Sequence, residues 1–415
     1  MSTTTRTTTS SATSGLRGGT TLRVNSEWAK LPLFEHKGWR RLPFGEFAES
    51  INERVEPADA AEDIYVGLDD LDPGNLHIRR WGKGSDVIGT KLRFRKGDII
   101  FGRRRAYQRK LAVAEADGIC SAHAMVVRAK PDVVLPEFLP FLMMSDKFMN
   151  RAVEISVGSL SPTINWTTLK LEEFDLPPID QQRRIARIFW ALDDALCSLE
   201  KTADAAATLW GEQLRCAFSS RTRHNLVPVR ETGLVQLGRQ RAPKFQTGTC
   251  VKPYLRVANV FDGFFDYADV LRMDFNGRDC ETYRLQEGDI LLNEGQSREL
   301  VGRCAIYDGA IVDCCFQNTL LRYRAGKGVS TRYAFAFFQY CFHFGVFASI
   351  SSQTTSIAHL GADRFGALLM PLPPKPKQDD IADEFERARR TEAAIGDHIS
   401  HLRQLRKSLI DEVLS

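Results

Sequence analysis

The sequence has no apolar run near 18 residues, so no stretch of it reads as a membrane-spanning helix. The first fifteen residues are mostly Ser and Thr with one Arg and lack the apolar core of a secretion signal. Residues 1–19 read as a disordered tail. Nine cysteines include no C-x-x-C pair and no framework spacing, which argues against a zinc finger or a disulfide scaffold and for a reduced, cytoplasmic protein. Cys120 with His123 and Cys341 with His343 have no second pair at finger-like spacing, so they read as buried thiols and turn histidines rather than a metal site. Net charge is only +4, too little to decide a partner.

Catalytic motifs are also missing. No glycine fingerprint for a nucleotide follows a strand, and Gly82-Lys83-Gly84 has neither the following Ser or Thr nor the earlier glycine of a phosphate loop. Adenine methyl transfer needs a polar residue before Pro-Pro and an aromatic after it, whereas Pro177-Pro178 stands between Leu176 and Ile179.

What the sequence does contain is a duplication. Gly97-Asp98 returns as Gly288-Asp289 and Asp117-Gly118 as Asp308-Gly309, 191 positions on. Cys120, His123 and Arg128 align with Cys314, Gln317 and Arg322 at 194, and Pro178, Ile185 and Ala186 with Pro374, Ile381 and Ala382 at 196. A growing offset is the mark of small loop insertions in one copy. With 415 residues two or three domains are expected. Each copy carries short β-branched and aromatic runs punctuated by Gly and Asp, such as Ile99-Ile100-Phe101 and Thr319-Leu320-Leu321-Arg322-Tyr323, then a helical segment, from Pro136 to about Val153 and from Arg332 to about Phe347. The fold class is therefore α+β, a twisted sheet with helices in each module.

A long helical pattern follows each module. Gln181 to about Phe218 carries Ile185, Ile188, Leu192, Ala195, Leu199, Ala206 and Trp210, and Lys377–Leu414 carries Ile381, Phe385, Ala388, Ile395, Ile399, Leu402, Leu405, Leu409 and Val413. Spacings of three and four make a narrow apolar stripe on each. Two such helices after two equivalent modules predict an antiparallel coiled-coil pair with pseudo-twofold symmetry.

Nine Lys or Arg fall within residues 91–110 against one acid, Asp98. Cations hold phosphates, and planar or bidentate groups read base edges. Arg103, Arg104, Arg105 and Lys110 supply the first kind, with Gln108 suited to an adenine edge and Tyr107 to stacking or a phosphate. The matching place in the second copy is less basic: Asn293, Gln296, Ser297 and Arg298, with Glu294 and Glu299 beside them, and Gln317-Asn318 before a strand. The plain alternatives are a solvated basic turn in the first copy and ordinary turn chemistry in the second. Ser159–Asn165 and Ser352–Ser356 are further polar loops, suited to phosphates or to capping. Two unlike loops at equivalent places predict two unlike half-sites.

Leu176-Pro177-Pro178-Ile179-Asp180-Gln181-Gln182 with Ile185-Ala186 resembles the conserved-region signature of type I restriction–modification specificity subunits. Leu372-Pro373-Pro374 with Lys377-Gln378 and Ile381-Ala382 looks like a weaker second copy, since it reads Lys375-Pro376-Lys377-Gln378 where the first reads Ile179-Asp180-Gln181-Gln182. The resemblance runs from about Trp39 to the end. It implies target recognition domains at 38–175 and 225–371 and conserved helical spacers at 176–218 and 372–415. It further implies a non-catalytic subunit that reads a bipartite double-stranded DNA site, docks two methyltransferase subunits and recruits a restriction subunit. The chain then needs no cofactor, while its partners use S-adenosylmethionine, ATP and Mg. Another phage-defence or modification assembly on the same scaffold, or a scaffold that binds protein, remains an alternative reading.

Overall fold

The computed structural model describes residues 35–60, 64–219, 225–240, 248–353 and 356–414; the tail read at 1–19 lies outside them. The chain divides into two compact units. One holds the residues up to Glu200 and those from Asp397 onward, the other Lys201–Gly396.

In the first unit a four-stranded antiparallel sheet has the order Ala48–Ile51, Met125–Ala129, Ile99–Phe101, Leu111–Val113. Alternate side chains of a strand face opposite ways. Accordingly Ile99, Phe101, Met125 and Val127 enter one core, with Phe141, Phe148 and Ile185, while Ile100, Ala112 and Val126 enter a second, with Val66 and Phe94. A sheet covered on both faces is why Ile99-Ile100-Phe101 shows no polar alternation. The second core lies against a five-stranded sheet in which Ile64–Val66 runs parallel to Gly118–Cys120.

The second unit repeats this plan. Its four strands are ordered Gly233–Leu237, Leu320–Ala325, Ile290–Asn293, Cys304–Ile306. Ile290, Leu292 and Tyr323 face one core, and Leu291, Ala305 and Leu320 face the other. A parallel pair recurs between Val251–Leu255 and Cys315–Phe316. The turn before each central strand needs a left-handed residue: Gly97 has φ +92° and Gly288 φ +88°, at little cost for glycine.

The strand ladders correct four sequence alignments. Val127 pairs with Ile99 and Tyr323 with Ile290, which makes Arg128 the equivalent of Arg324 rather than of Arg322. Ser121 N donates to Val66 O at 3.0 Å as Gln317 N donates to Leu255 O at 2.9 Å, so Gln317 corresponds to Ser121, not His123, and Cys120 to Phe316, not Cys314. Gly118 is a strand residue paired with Phe94, whereas Gly309 sits in a turn at φ +75°. Repeated Cys, Gly and Asp letters suggested the wrong match; the hydrogen-bond register gives 196 from Cys120 onward.

Each expected helix late in a module is two. Leu139–Met144 and Asp146–Glu154 break at Ser145, whose Oγ accepts from Phe148 N at 3.2 Å as an N-cap. Thr331–His343 and Val346–Ile350 break at Gly345, at φ +71°.

The long helices are Ile179–Phe218 and Lys375–Leu414, each of 40 residues, or about 60 Å. Within each unit the portions present run antiparallel. In the first, Ile185 shares a core with Ile410 and Val413, and Glu200 pairs with Arg403. In the second, Trp210 lies 6.1 Å from Phe385, and Leu214 and Ala217 approach Ile381.

The seam departs from the expected stripe. Phe189, Asp193 and Leu196 are buried, while Ile188 is 41% exposed and Ala195 lies at the surface. A buried ion pair, Asp193 with Arg406, fills the seam position where an apolar pattern skips. At the positions 196 away, Arg389 lies over the Trp210 ring at 5.8 Å. Both arginines also donate to a module loop, Arg406 to Gly74 O and Arg389 to Asp262 O.

Gln182 and Gln378 tie the helix starts to their modules in the same way. Gln182 Oε1 accepts from Leu135 N at 2.8 Å and its Nε2 donates to Pro177 O at 2.9 Å. Gln378 does so with Ser330 N at 2.8 Å and Pro373 O at 2.9 Å. The second copy's departure is thus confined to Lys375, Pro376 and Lys377, all exposed.

Candidate DNA interface

Three loops converge in each unit at the end of the central strand. In the first they are Gly102–Lys110, Ser121–Ala124 and the hairpin Val157–Ile164. Arg103 O accepts from Ile164 N at 2.9 Å, Arg105 N donates to Pro162 O at 2.8 Å, and Arg104 pairs across to Thr163. Arg103 Nη2 donates to Ala122 O at 3.1 Å. Arg104 Nη1 donates to His123 Nε2 at 3.1 Å, which requires a neutral imidazole. Desolvation, then Arg104, Arg103 and Lys91, hold the His123 pKa below its usual value.

The chain is not extended here. Arg105 and Arg109 adopt left-handed φ of 57° and 51° around a turn at Ala106–Gln108, which replaces the strand-like alternation assumed for Arg103, Arg104 and Arg105. Arg105 and Tyr107 are exposed, and Gln108 is half-buried beside them. Lys110 points elsewhere, its Nζ donating to Leu68 O at 2.8 Å with the side chain 15% exposed. Arg109 is held by Asp146 and Asn150.

The second unit assembles Asn293–Arg303, Gln317–Thr319 and the antiparallel strands Ser352–Gln353 and Ala358–His359. Glu294 N donates to Thr319 O at 2.9 Å and Glu294 O accepts from Leu360 N at 2.8 Å. Gln296 pairs with Ala358 and Gly295 with His359. Gln296 and Ser297 are half-buried and Arg298 exposed; Gln317 and Asn318 are half-buried next to Thr319. Thr354 and Thr355 lie outside the described residues.

Asn293 does not serve as expected. It is 0% exposed, its Nδ2 donates to Val260 O at 3.4 Å, and its backbone holds the loop through Arg303 O and Gly302 N. A side chain sealed in the core reaches no base edge, so Asn293 supports the loop instead.

Other residues enter that the sequence did not single out. His359 Nδ1 lies 3.1 Å from Glu294 Oε2, and Arg364 Nη2 donates to Ser352 Oγ and His359 O, both at 2.8 Å. These come from distant positions with no local motif. His123 reads in the sequence as a turn histidine, and its contact with Arg104 gives it a place here. The two clusters differ in charge: Arg103, Arg104 and Arg105 dominate one, while Glu294 and Glu299 sit with Arg298 in the other.

A duplicated α+β module with three convergent polar loops and a shared pair of long helices defines a class of paired recognition modules. The model of the type I restriction modification DNA specificity domain matches residues 82–208 and 253–400, and the chain belongs to that family. The type I restriction enzyme EcoDI specificity subunit of Escherichia coli is 27% identical over 172 residues, 39% of this chain and 36% of that relative, so the chain spans about a third of its length in the match. A chain solved in work on complex assembly and conformational transition of the type I R-M system shares the fold at TM-score 0.59 and 20% identity, covering 91% of this chain and 98% of that one. The S subunit of a type I restriction-modification system from M. genitalium does so at TM-score 0.57 and 12% identity, covering 91% and 96%. Among the described residues no helix is long and apolar enough to cross a membrane.

Proposed function

We propose that this chain is the DNA sequence-recognition subunit of a type I restriction–modification complex, with each unit's loop cluster reading one half of a bipartite, asymmetric site. The observation that carries this reading is the repetition of one three-loop cluster with unlike chemistry, arginine-rich at Arg103–Arg105 and mixed polar at Gln296–Arg298. Clustered cations bind phosphate without regard to sequence. Amides and guanidinium groups discriminate base edges. Gln108, Gln296, Gln317 and Asn318 are the candidate readers, and Arg103, Arg104, Arg105, Tyr107, Ser297 and Arg298 the candidate anchors.

The chain performs no chemistry in this reading. Methyl transfer from S-adenosylmethionine and ATP- and Mg-dependent restriction belong to partner subunits, in the cytoplasm. Ile188 and Ala195 are exposed on the first long helix outside its buried seam, with Leu192 and Leu199 half-buried along the same line, a surface suited to a methyltransferase subunit. The test is co-expression with the partner methyltransferase in a host free of such modification, followed by genome-wide mapping of methylated bases. The proposal expects one two-part motif that vanishes without this chain; an unchanged pattern in its absence refutes it.

A further inference from the structure

The hairpin beside the arginines of the first unit carries two aliphatic side chains into solvent: Leu160 is 93% exposed and Val157 66%. It is a built element. Val157 N donates to Thr163 O at 3.0 Å and Thr163 N to Val157 O at 2.9 Å. Its far strand is fastened to the arginine loop through Ile164 N and Pro162 O. A singly exposed leucine is ordinary on a protein surface. This one stands at the tip of a hairpin whose far strand is tied to the arginine loop. A DNA major groove presents one apolar group at its base edges, the thymine 5-methyl.

We propose that Leu160, with Val157 beside it, packs on a thymine 5-methyl group in the half-site read by the first unit. The inference rests on the DNA-recognition reading above and makes Leu160 a specificity-determining residue. Arg104 and Arg105 would hold the phosphates that bring the groove edge to the hairpin.

The test uses the full chain with the subunits that co-purify with it. Preferred duplexes are selected from a randomised pool, and each thymine in turn is replaced by deoxyuridine, which deletes the methyl and keeps the base pair. At one thymine of one half-site, deoxyuridine should weaken wild-type binding about fourfold, the share of one buried methyl. Leu160→Ala should bind the two duplexes equally; its exposure keeps folding out of the comparison. The inference is overturned if no thymine shows the effect, or if it persists in Leu160→Ala. The reading beneath it fails differently: no duplex is preferred, or Arg104→Ala and Arg105→Ala leave affinity unchanged.

Discussion

Asp98 accepts two hydrogen bonds from Arg128, at 2.6 and 2.8 Å, and Asp289 accepts two from Arg324 at the same distances. Each carboxylate also accepts from the turn before its strand, Asp98 from Arg95 N and Asp289 from Gln286 N, both at 2.8 Å. The Gly-Asp repeat thus marks a buried anchor that joins the turn to the neighbouring strand.

An amide in place of that carboxylate keeps one acceptor oxygen, which cannot serve both the turn N–H and the arginine fork, and it removes the charge opposite a partly exposed arginine. Asp98→Asn and Asp289→Asn are expected to cost about 2–3 kcal/mol each, below the fully buried range because each arginine is about a third exposed. Denaturant midpoints measure this, and a loss under about 0.5 kcal/mol would contradict the anchor.

The helix seam gives a sharper case. Asp193→Ala is expected to cost about 3 kcal/mol, because Arg406 would remain buried and unpaired by it. Asp193→Leu combined with Arg406→Met is expected to recover most of that loss. A double-mutant cycle by denaturant melts decides; a loss in the double variant equal to the sum of the two single losses would show that the pair has no coupling.

The loops separate phosphate anchors from base readers. Arg105→Ala should weaken binding to every duplex alike and lower the salt slope by about 1. Gln296→Ala should instead relax one base position in the other half, at about 1–3 kcal/mol. Asn293→Ala should lower stability and leave sequence preference intact, since Asn293 is buried. Filter binding at several salt concentrations distinguishes the three.

His123 gives a pH dependence. Desolvation and the nearby arginines depress its pKa in the free protein. Phosphates arriving at Arg104 would raise it, so the complex binds more protons than the free chain. Affinity should therefore rise as pH falls through the pKa of the complex toward that of the free protein, and stay flat above both. His123→Gln should flatten the profile; an unchanged slope in that variant would remove His123 from the interface.

The duplication was legible in the sequence because Gly-Asp turns and the Leu-Pro-Pro entries to the long helices are local motifs. Its register was not, since a loop between the edge strand and the parallel pair shifts the offset, and Cys314 imitates the place of Cys120. The long helices were legible from spacing, but the seam was misread at Ile188 and Ala195 because Asp193 and Arg406 hold core positions as a charge pair. Arg103–Arg105 and Gln296–Arg298 stood out by composition. What faces them did not: Ala122, His123, Pro162 and His359 meet these loops only through strand pairing, and the burial of Asn293 depends on packing no short motif records.

Methylation mapping with Gln296→Ala/Arg298→Ala in the co-expressed complex tests the central claim most directly. Two modules that each read one half predict a motif unchanged in one half and relaxed in the other. Relaxation of both halves together, or of neither, would contradict it.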